Sequence, residues 1–125
     1  MATPETVRSV VDAYVAASTT SDRDAVLALL APDAVWFDPV GRPPHAGLEA
    51  IGAFYDQARA MADRIEMKPS NVIVCGNEAV MVFEIHVTIG DGGMVMDAVE
   101  TFEVNDDGKI TGMKAYWDMT RARSR

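Results

Sequence analysis

The fold is decided by residues 78–104, "EAVMVFEIHVTIGDGGMVMDAVETFEV", in which two runs of alternating apolar and polar residues flank "GDGG" (90–93). A period of two residues is typical of a β-strand, because successive side chains point to opposite faces. A glycine-rich segment between two such runs is typical of a tight hairpin connection. Since no helical pattern follows it, we interpret the segment as a turn and not as a phosphate-binding loop. The stretch therefore predicts two antiparallel strands.

The same signals continue on both sides of this stretch. "NVIVC" precedes it through Gly76-Asn77, and "KITGMKAYWDM" follows it through "NDDG" (105–108). Short connections between successive strands predict an antiparallel meander.

The N-terminal half has instead the 3.6-residue period of helices. Thr3 is a candidate cap for a first helix that has Pro4 at its first position. Ser21 is predicted to open a short second helix that runs through Leu30 and that "APDA" ends, and a third helix is predicted to start near Gly47. Helices followed by an antiparallel sheet predict an α+β protein, with residues 1–125 forming a single domain. The expected ligand site is a cavity between the helices and the sheet.

The composition argues against several classes of function. A formal net charge of −8 argues against nucleic-acid binding, which needs clustered Lys and Arg, and the basic "TRARSR" at the C-terminus is interpreted as a solvated tail. No segment approaches the ~18 consecutive apolar residues of a membrane-spanning helix, so a cytoplasmic protein with no membrane partner is expected. The single cysteine, Cys75, allows no intrachain disulfide and is interpreted as a small core residue.

No metal site is predicted. Glu84 and His86 lie two positions apart on one strand face, but no HExxH or CxxC spacing supports them as ligands. His45 follows Pro43-Pro44 and is interpreted as a loop residue.

A carboxylate interrupts the apolar face of the strand at 94–104. The even positions of this segment are apolar except for Glu100, whereas the odd positions mix Val with Asp, Thr and Glu. Alternation therefore turns Glu100 towards the core. Burial of an unpaired carboxylate raises its pKa and keeps it protonated, so that it becomes a hydrogen-bond donor. A buried ion pair, or a strand register shifted by one residue, remains an open alternative.

Two further polar groups accompany Glu100. Tyr14 lies on the apolar stripe of the first helix, where it is either a core tyrosine or a neutral donor. Asp38 follows Trp36 and Phe37 and precedes Pro39, so it is either a turn residue or a base beside an apolar pocket. A carboxylate base with two neutral donors is the set that proton abstraction next to a ketone requires, because the enolate oxygen must be stabilised.

Four segments resemble those of bacterial Δ5-3-ketosteroid isomerases, which share a fold with nuclear transport factor 2 and with polyketide cyclases. They are "VVDAYVAA", "APDAVWFDPVG", "IGAFYDQA" and "MKAYW". The resemblance runs over nearly the whole chain. It implies a cone-shaped α+β fold in which about three N-terminal helices pack on a curved, mainly antiparallel sheet.

The resemblance also implies roles for individual residues. Asp38 matches the general base of that family, and Tyr14 matches the tyrosine that donates to the 3-keto oxygen. Glu100 stands where the family has a protonated aspartic acid. Tyr55 is expected to support Tyr14 by hydrogen bonding, whereas Leu30 stands where some relatives have a further tyrosine. The expected substrate contacts are Trp36, Phe54, Tyr55, Met81, Phe83, Met96, Phe102 and Trp117.

The implied activity is that of a steroid Δ-isomerase without cofactor, which moves the C5=C6 double bond of a 3-oxo-Δ5-steroid to C4=C5. Another enzyme of the same fold, such as a polyketide cyclase or a dehydratase-like lyase, and a non-catalytic small-molecule-binding module remain open alternatives. Family likeness also implies a homodimer. The outer sheet face expected to form it contains Val80, Val82, Glu84, His86 and Thr88.

Overall fold

The computed structural model describes residues 1–125 as three helices on one face of a curved, mixed, seven-stranded sheet. The helices are α1 (Pro4–Thr19), α2 (Arg23–Ala28) and α3 (Leu48–Ala60). The strands are β1 (Leu30–Phe37), β2 (His45–Ala46), β3 (Arg64–Cys75), β4 (Glu78–Ile89), β5 (Gly92–Val104), β6 (Ile110–Trp117) and β7 (Arg123–Ser124). The predicted α+β class is confirmed.

The predicted meander is also confirmed, because strands β3 to β6 pair successively and antiparallel. Strand β1 pairs parallel with β6, so the order across the sheet is β2-β1-β6-β5-β4-β3. Strand β7 adds a short pairing to β5. The C-terminal segment is therefore not a free tail, since Arg123 of β7 forms ion pairs with Glu84 and Asp97.

The helix starts follow local chemistry, with one correction. Thr3 caps α1 by accepting a hydrogen bond from the backbone N–H of Thr6, as predicted. The cap of α2 is Asp22, whose side chain accepts from the N–H of Ala25, so the prediction of Ser21 was wrong. The helix also ends earlier than predicted, because Leu30 pairs with Ile110 of β6 and begins β1. Pairing between distant strands prevails there over local helix propensity.

The core lies between the helices and the inner face of the sheet. The even positions of β5 from Met96 to Val104 are buried, as the alternation predicts, and this set includes Glu100. Cys75, by contrast, is exposed, because it ends the edge strand β3 and has a strand on one side only. Its interpretation as a core residue was wrong. None of the helices combines the length and the apolar character needed to cross a membrane.

Candidate active site

An apolar cavity of about 260 Å³ lies between α1, α3 and the inner face of the sheet. Of its 18 lining residues, 16 are apolar or aromatic, and the other two are Asp38 and Arg59. An apolar pocket with a few placed polar groups is the usual form of a small-molecule site. The cavity is therefore the candidate active site, with Asp38 and Arg59 as its two charged residues.

Asp38 directly follows β1 and is joined to Pro39 by a cis peptide bond. The indole Nε1 of Trp117 donates a 2.7 Å hydrogen bond to Oδ1 of Asp38. Burial raises the pKa of Asp38 above its ordinary value, while the Trp117 hydrogen bond and the nearby His45 oppose that rise. Because only Oδ1 accepts this bond, Oδ2 stays free to take a proton. The residue has the properties of a general base with more than ordinary proton affinity.

Glu100 lies on β5 and is only 2% exposed. The indole Nε1 of Trp36 donates to its Oε2 at 3.3 Å, while its Oε1 has no hydrogen-bond partner. Burial, followed by the charge of Asp38, raises the pKa of Glu100 to about 8, against the lowering effect of Trp36 and Tyr14. Because no basic residue pairs with it, the alternative of a buried ion pair is wrong. Glu100 is thus a neutral acid at pH 7, with a proton to donate.

Tyr14 reaches the cavity from the buried face of α1 and is 1% exposed. Its ring packs edge-on against Trp36 and Phe102, with centroids 6.4 and 5.4 Å away. Burial raises its pKa well above the ordinary value, and the charges of Glu100 and Asp38 raise it further, so the phenol remains a donor. Glu100 and Ser18 approach closely enough to affect this pKa, yet Glu100 Oε1 and Ser18 Oγ make no hydrogen bond. Tyr14 and Glu100 thus form a pair of adjacent neutral donors.

Five of the eight expected substrate contacts line the cavity, and three do not. The five are Trp36, Phe54, Tyr55, Met96 and Trp117. Met81, Phe83 and Phe102 are buried in the core instead. Met81 and Phe83 lie opposite Glu100 and Ala98, whereas the cavity adjoins the next residues along these strands, such as Ile85 and Met96. Glu100 is likewise not part of the lining, but contacts it through Trp36.

Two side chains differ from their sequence interpretation. The Tyr55 hydroxyl is buried without any hydrogen-bond partner, so it does not support Tyr14 as expected. His45 is not a loop residue: it lies in β2, pairs with Trp36 and stacks on Phe54 with centroids 4.1 Å apart. The proline pair before it hid the short strand, which exists only through pairing with β1.

Arg59 was missed altogether by the sequence analysis. It lies one helical turn after Tyr55, on the same side of α3, and that spacing was the signal available. No group of three or more His, Cys, Asp or Glu side chains is arranged to hold a metal ion.

In comparison with known protein families, residues 11–113 match the model of the SnoaL-like domain. The chain belongs to this family. It is 30% identical over 111 residues to the steroid Delta-isomerase of Nocardioides simplex, covering 89% of each chain. Among solved structures, RV0760c of Mycobacterium tuberculosis matches with a TM-score of 0.88 and 25% identity over the full length of both chains. The resemblance to the ketosteroid isomerase superfamily is therefore confirmed.

A second relative points to different chemistry. The epoxide hydrolase LasB of Streptomyces lasalocidi is 29% identical over 103 residues, which cover 78% of this chain and 36% of that protein. Membership of the SnoaL-like family thus supports the fold, whereas the reaction depends on the side chains at the cavity.

Proposed function

We propose that the protein is a steroid Δ-isomerase that moves the C5=C6 double bond of a 3-oxo-Δ5-steroid to C4=C5. The observation that carries the proposal is a free carboxylate oxygen, on Asp38, at an apolar cavity that also has two neutral donors, Tyr14 in its lining and Glu100 directly behind it. The 30% identity to a steroid Delta-isomerase supports it. A flat, apolar substrate fits the lining, which offers few polar groups to a sugar or a phosphate ester.

In the proposed reaction, Oδ2 of Asp38 removes a proton from C4. The electrons of the C4–H bond form a C3=C4 double bond, and those of the carbonyl double bond move to the 3-oxygen, which gives a dienolate. The charge that develops on the 3-oxygen is stabilised by Tyr14 and by the acid of Glu100. Protonated Asp38 then returns the same proton to C6, where the C5=C6 electrons form the new C–H bond, while the 3-ketone re-forms and the double bond moves to C4=C5 without a cofactor. Glu100 lies beside the lining and contacts it through Trp36, so the ketone oxygen is expected to bind close to Tyr14 and the Trp36 indole.

Each group has a distinct effect on the rate. Positioned acid–base catalysis contributes roughly 10²–10⁴-fold, and one donor to a developing oxyanion about 10²–10³-fold. Trp117 contributes by holding the Asp38 carboxylate at the wall of the cavity through the 2.7 Å bond to Oδ1.

The test follows the ultraviolet absorbance of the conjugated enone formed from 5-androstene-3,17-dione. We expect Asp38→Asn to lose at least about 10³-fold in kcat while it keeps its affinity for a conjugated steroid. Asp33→Asn, at an exposed position of β1, the strand that Asp38 follows, is the matched control and should keep full activity. Full activity of Asp38→Asn, or no turnover of any Δ5-3-ketosteroid by the wild type, would refute the proposal.

Opening of an epoxide is the second candidate, and the 29% identity to an epoxide hydrolase favours it. In that reaction a neutral donor protonates the epoxide oxygen, while Asp38 removes the proton from the attacking water or hydroxyl. An apolar epoxide carrying a hydroxyl group distinguishes the two. Its Asp38-dependent opening, without isomerisation of ketosteroids, would favour this candidate.

We also propose that the chain forms a homodimer through the outer face of the sheet. Val80, Val82 and Tyr116 expose 37, 40 and 45% of their surface on that side. Family likeness motivates the choice of a second copy as the partner.

A further inference from the structure

Arg59 has no part in the proposed reaction, although it is the only cationic residue that lines the cavity. It lies in the last turn of α3 and is partly buried. Its Nη1 donates to Ser21 Oγ at 3.1 Å and to the carbonyl oxygen of Ile65 at 3.0 Å. It forms no ion pair, in contrast to Arg23, Arg64 and Arg123. The partly buried guanidinium is thus held by two neutral oxygens alone, and an anionic ligand in the cavity would supply the missing opposite charge.

Strand register places Arg59 at the end of the cavity opposite the proposed catalytic groups. Ile65, to which Arg59 bonds, pairs with Val87 of β4, and Val87 pairs with Met94 of β5. Met94 precedes Glu100 by six residues. At about 3.3 Å per residue, this corresponds to roughly 20 Å along the strand, which is an upper limit for the direct distance in a curved sheet. One ligand could therefore meet the two neutral donors at one end and Arg59 at the other only if it is long.

The hydroxyl of Tyr55 supplies the second polar group at the Arg59 end. Tyr55 is 6% exposed, lines the cavity and has no partner for its hydroxyl. The Arg59 guanidinium lies over its ring, 4.8 Å from the centroid. A buried hydroxyl without a partner costs free energy that a ligand acceptor would recover. The nearby carboxylates are engaged elsewhere, since Asp22 caps α2 and Asp56 pairs with Arg23 at 2.9 Å.

We propose that Arg59 and Tyr55 form a subsite for a carboxylate at the far end of the substrate. The inference rests on the proposed function, and it narrows the substrate class to long, flat, apolar ketones with an anionic group opposite the reacting carbonyl. The free nitrogens of the guanidinium bind the carboxylate by charge-assisted hydrogen bonds, and the Tyr55 hydroxyl donates a further one.

The test compares the binding of two conjugated enones, 3-oxo-4-androstene-17β-carboxylic acid and its methyl ester. Binding is measured by quenching of the fluorescence of Trp36 and Trp117, both of which line the cavity. We expect the wild type to bind the acid about tenfold more tightly than the ester at low ionic strength. In Arg59→Met the preference should disappear, while the affinity for the ester stays within about twofold.

Two further variants keep the test decisive. Arg8→Met changes the net charge equally at an exposed position of α1 and should retain the preference. Tyr55→Phe should reduce the preference for the acid over the ester about threefold without removing it. This variant tests the subsite independently if Arg59→Met does not fold. Equal affinities of the wild type for acid and ester would overturn the proposal, as would an undiminished preference in Arg59→Met.

The subsite and the isomerase activity can fail separately, because the two enones are bound without being turned over. Turnover of 5-androstene-3,17-dione by a wild type that does not prefer the acid would refute the subsite alone. An Arg59-dependent preference without turnover of any Δ5-3-ketosteroid would refute the isomerase proposal and support the subsite.

Discussion

Replacing Glu100 by glutamine should change how the stability of the fold depends on pH. Glutamine has nearly the same shape and still accepts the hydrogen bond from Trp36, but it cannot ionise. In the wild type, the buried acid has its pKa raised from 4.5 to about 8. The folded state therefore keeps its proton over a pH range in which the unfolded chain has already lost it.

The sign and size of the effect follow from proton linkage. Below pH 4.5 both states carry the proton, so the wild type has its full stability there. Between pH 4.5 and about 8 only the unfolded state releases the proton, and the folded state loses about 1.4 kcal/mol per pH unit. The accumulated loss is about 3 kcal/mol at pH 7 and about 5 kcal/mol above pH 8, relative to Glu100→Gln. That is a large part of the ~5–15 kcal/mol stability of a typical domain.

The assay is urea unfolding of both proteins at pH 5, 6, 7, 8 and 9, at one fixed protein concentration so that any oligomerisation affects them equally. Other ionisable groups are common to both, so the difference between the two curves isolates Glu100. Glu103→Gln, at an exposed position of the same strand, controls for removal of a carboxylate. Parallel curves for wild type and Glu100→Gln between pH 5 and 8 would show that Glu100 is ionised in the folded protein. The proposed reaction would then lose its second donor.

Two further predictions concern the indoles and the sheet face. Because Trp36 lowers the pKa of Glu100 and Trp117 lowers that of Asp38, Trp36→Phe should move the alkaline limb of the kcat/KM profile, near pH 8 in the wild type, to higher pH. Trp117→Phe should move only the acidic limb of this profile to higher pH, because Asp38 loses the hydrogen bond that lowers its pKa. If the expected limb keeps its position in either variant, the assignment of the two limbs to Asp38 and Glu100 is contradicted. Val82→Asp introduces a charge at the proposed dimer face and should convert a dimer to a monomer in light scattering coupled to gel filtration, whereas a wild type that is already monomeric would refute that interface.

Strand alternation predicted which face of the sheet each residue of β5 occupies. It did not predict which of the inward residues line the cavity and which pack in the core. The inward orientation of Glu100 was predicted correctly, because the alternation of side chains along a strand is a local property. Phe102 shares that face, yet it packs on Tyr14 instead of lining the cavity. Which inward residues meet a cavity and which meet a helix depends on where α1 and α3 cross the sheet. That information is not contained in a period of two residues.

Two further errors concern strand pairing that the local sequence does not reveal. Leu30 was assigned to a helix because its partner, Ile110 of β6, is remote in sequence. His45 was assigned to a loop because its two-residue strand exists only through pairing with Trp36 of β1. Tyr55 was correctly predicted to line the cavity, but its position on α3 did not reveal that its hydroxyl lacks a hydrogen-bond partner.

The two indole–carboxylate bonds also have a consequence for the order in which the molecule is assembled. Trp36 and Glu100 are 64 positions apart, and Asp38 and Trp117 are 79 positions apart. Contacts between residues so far apart in sequence form slowly, because a long loop must close before they can stabilise the fold. A nascent chain can complete neither the parallel β1–β6 pairing nor the Asp38 anchor until residue 117 has left the ribosome. The hydrogen bond that holds Asp38 at the cavity therefore forms only after β6, the last strand of the meander, has been synthesised.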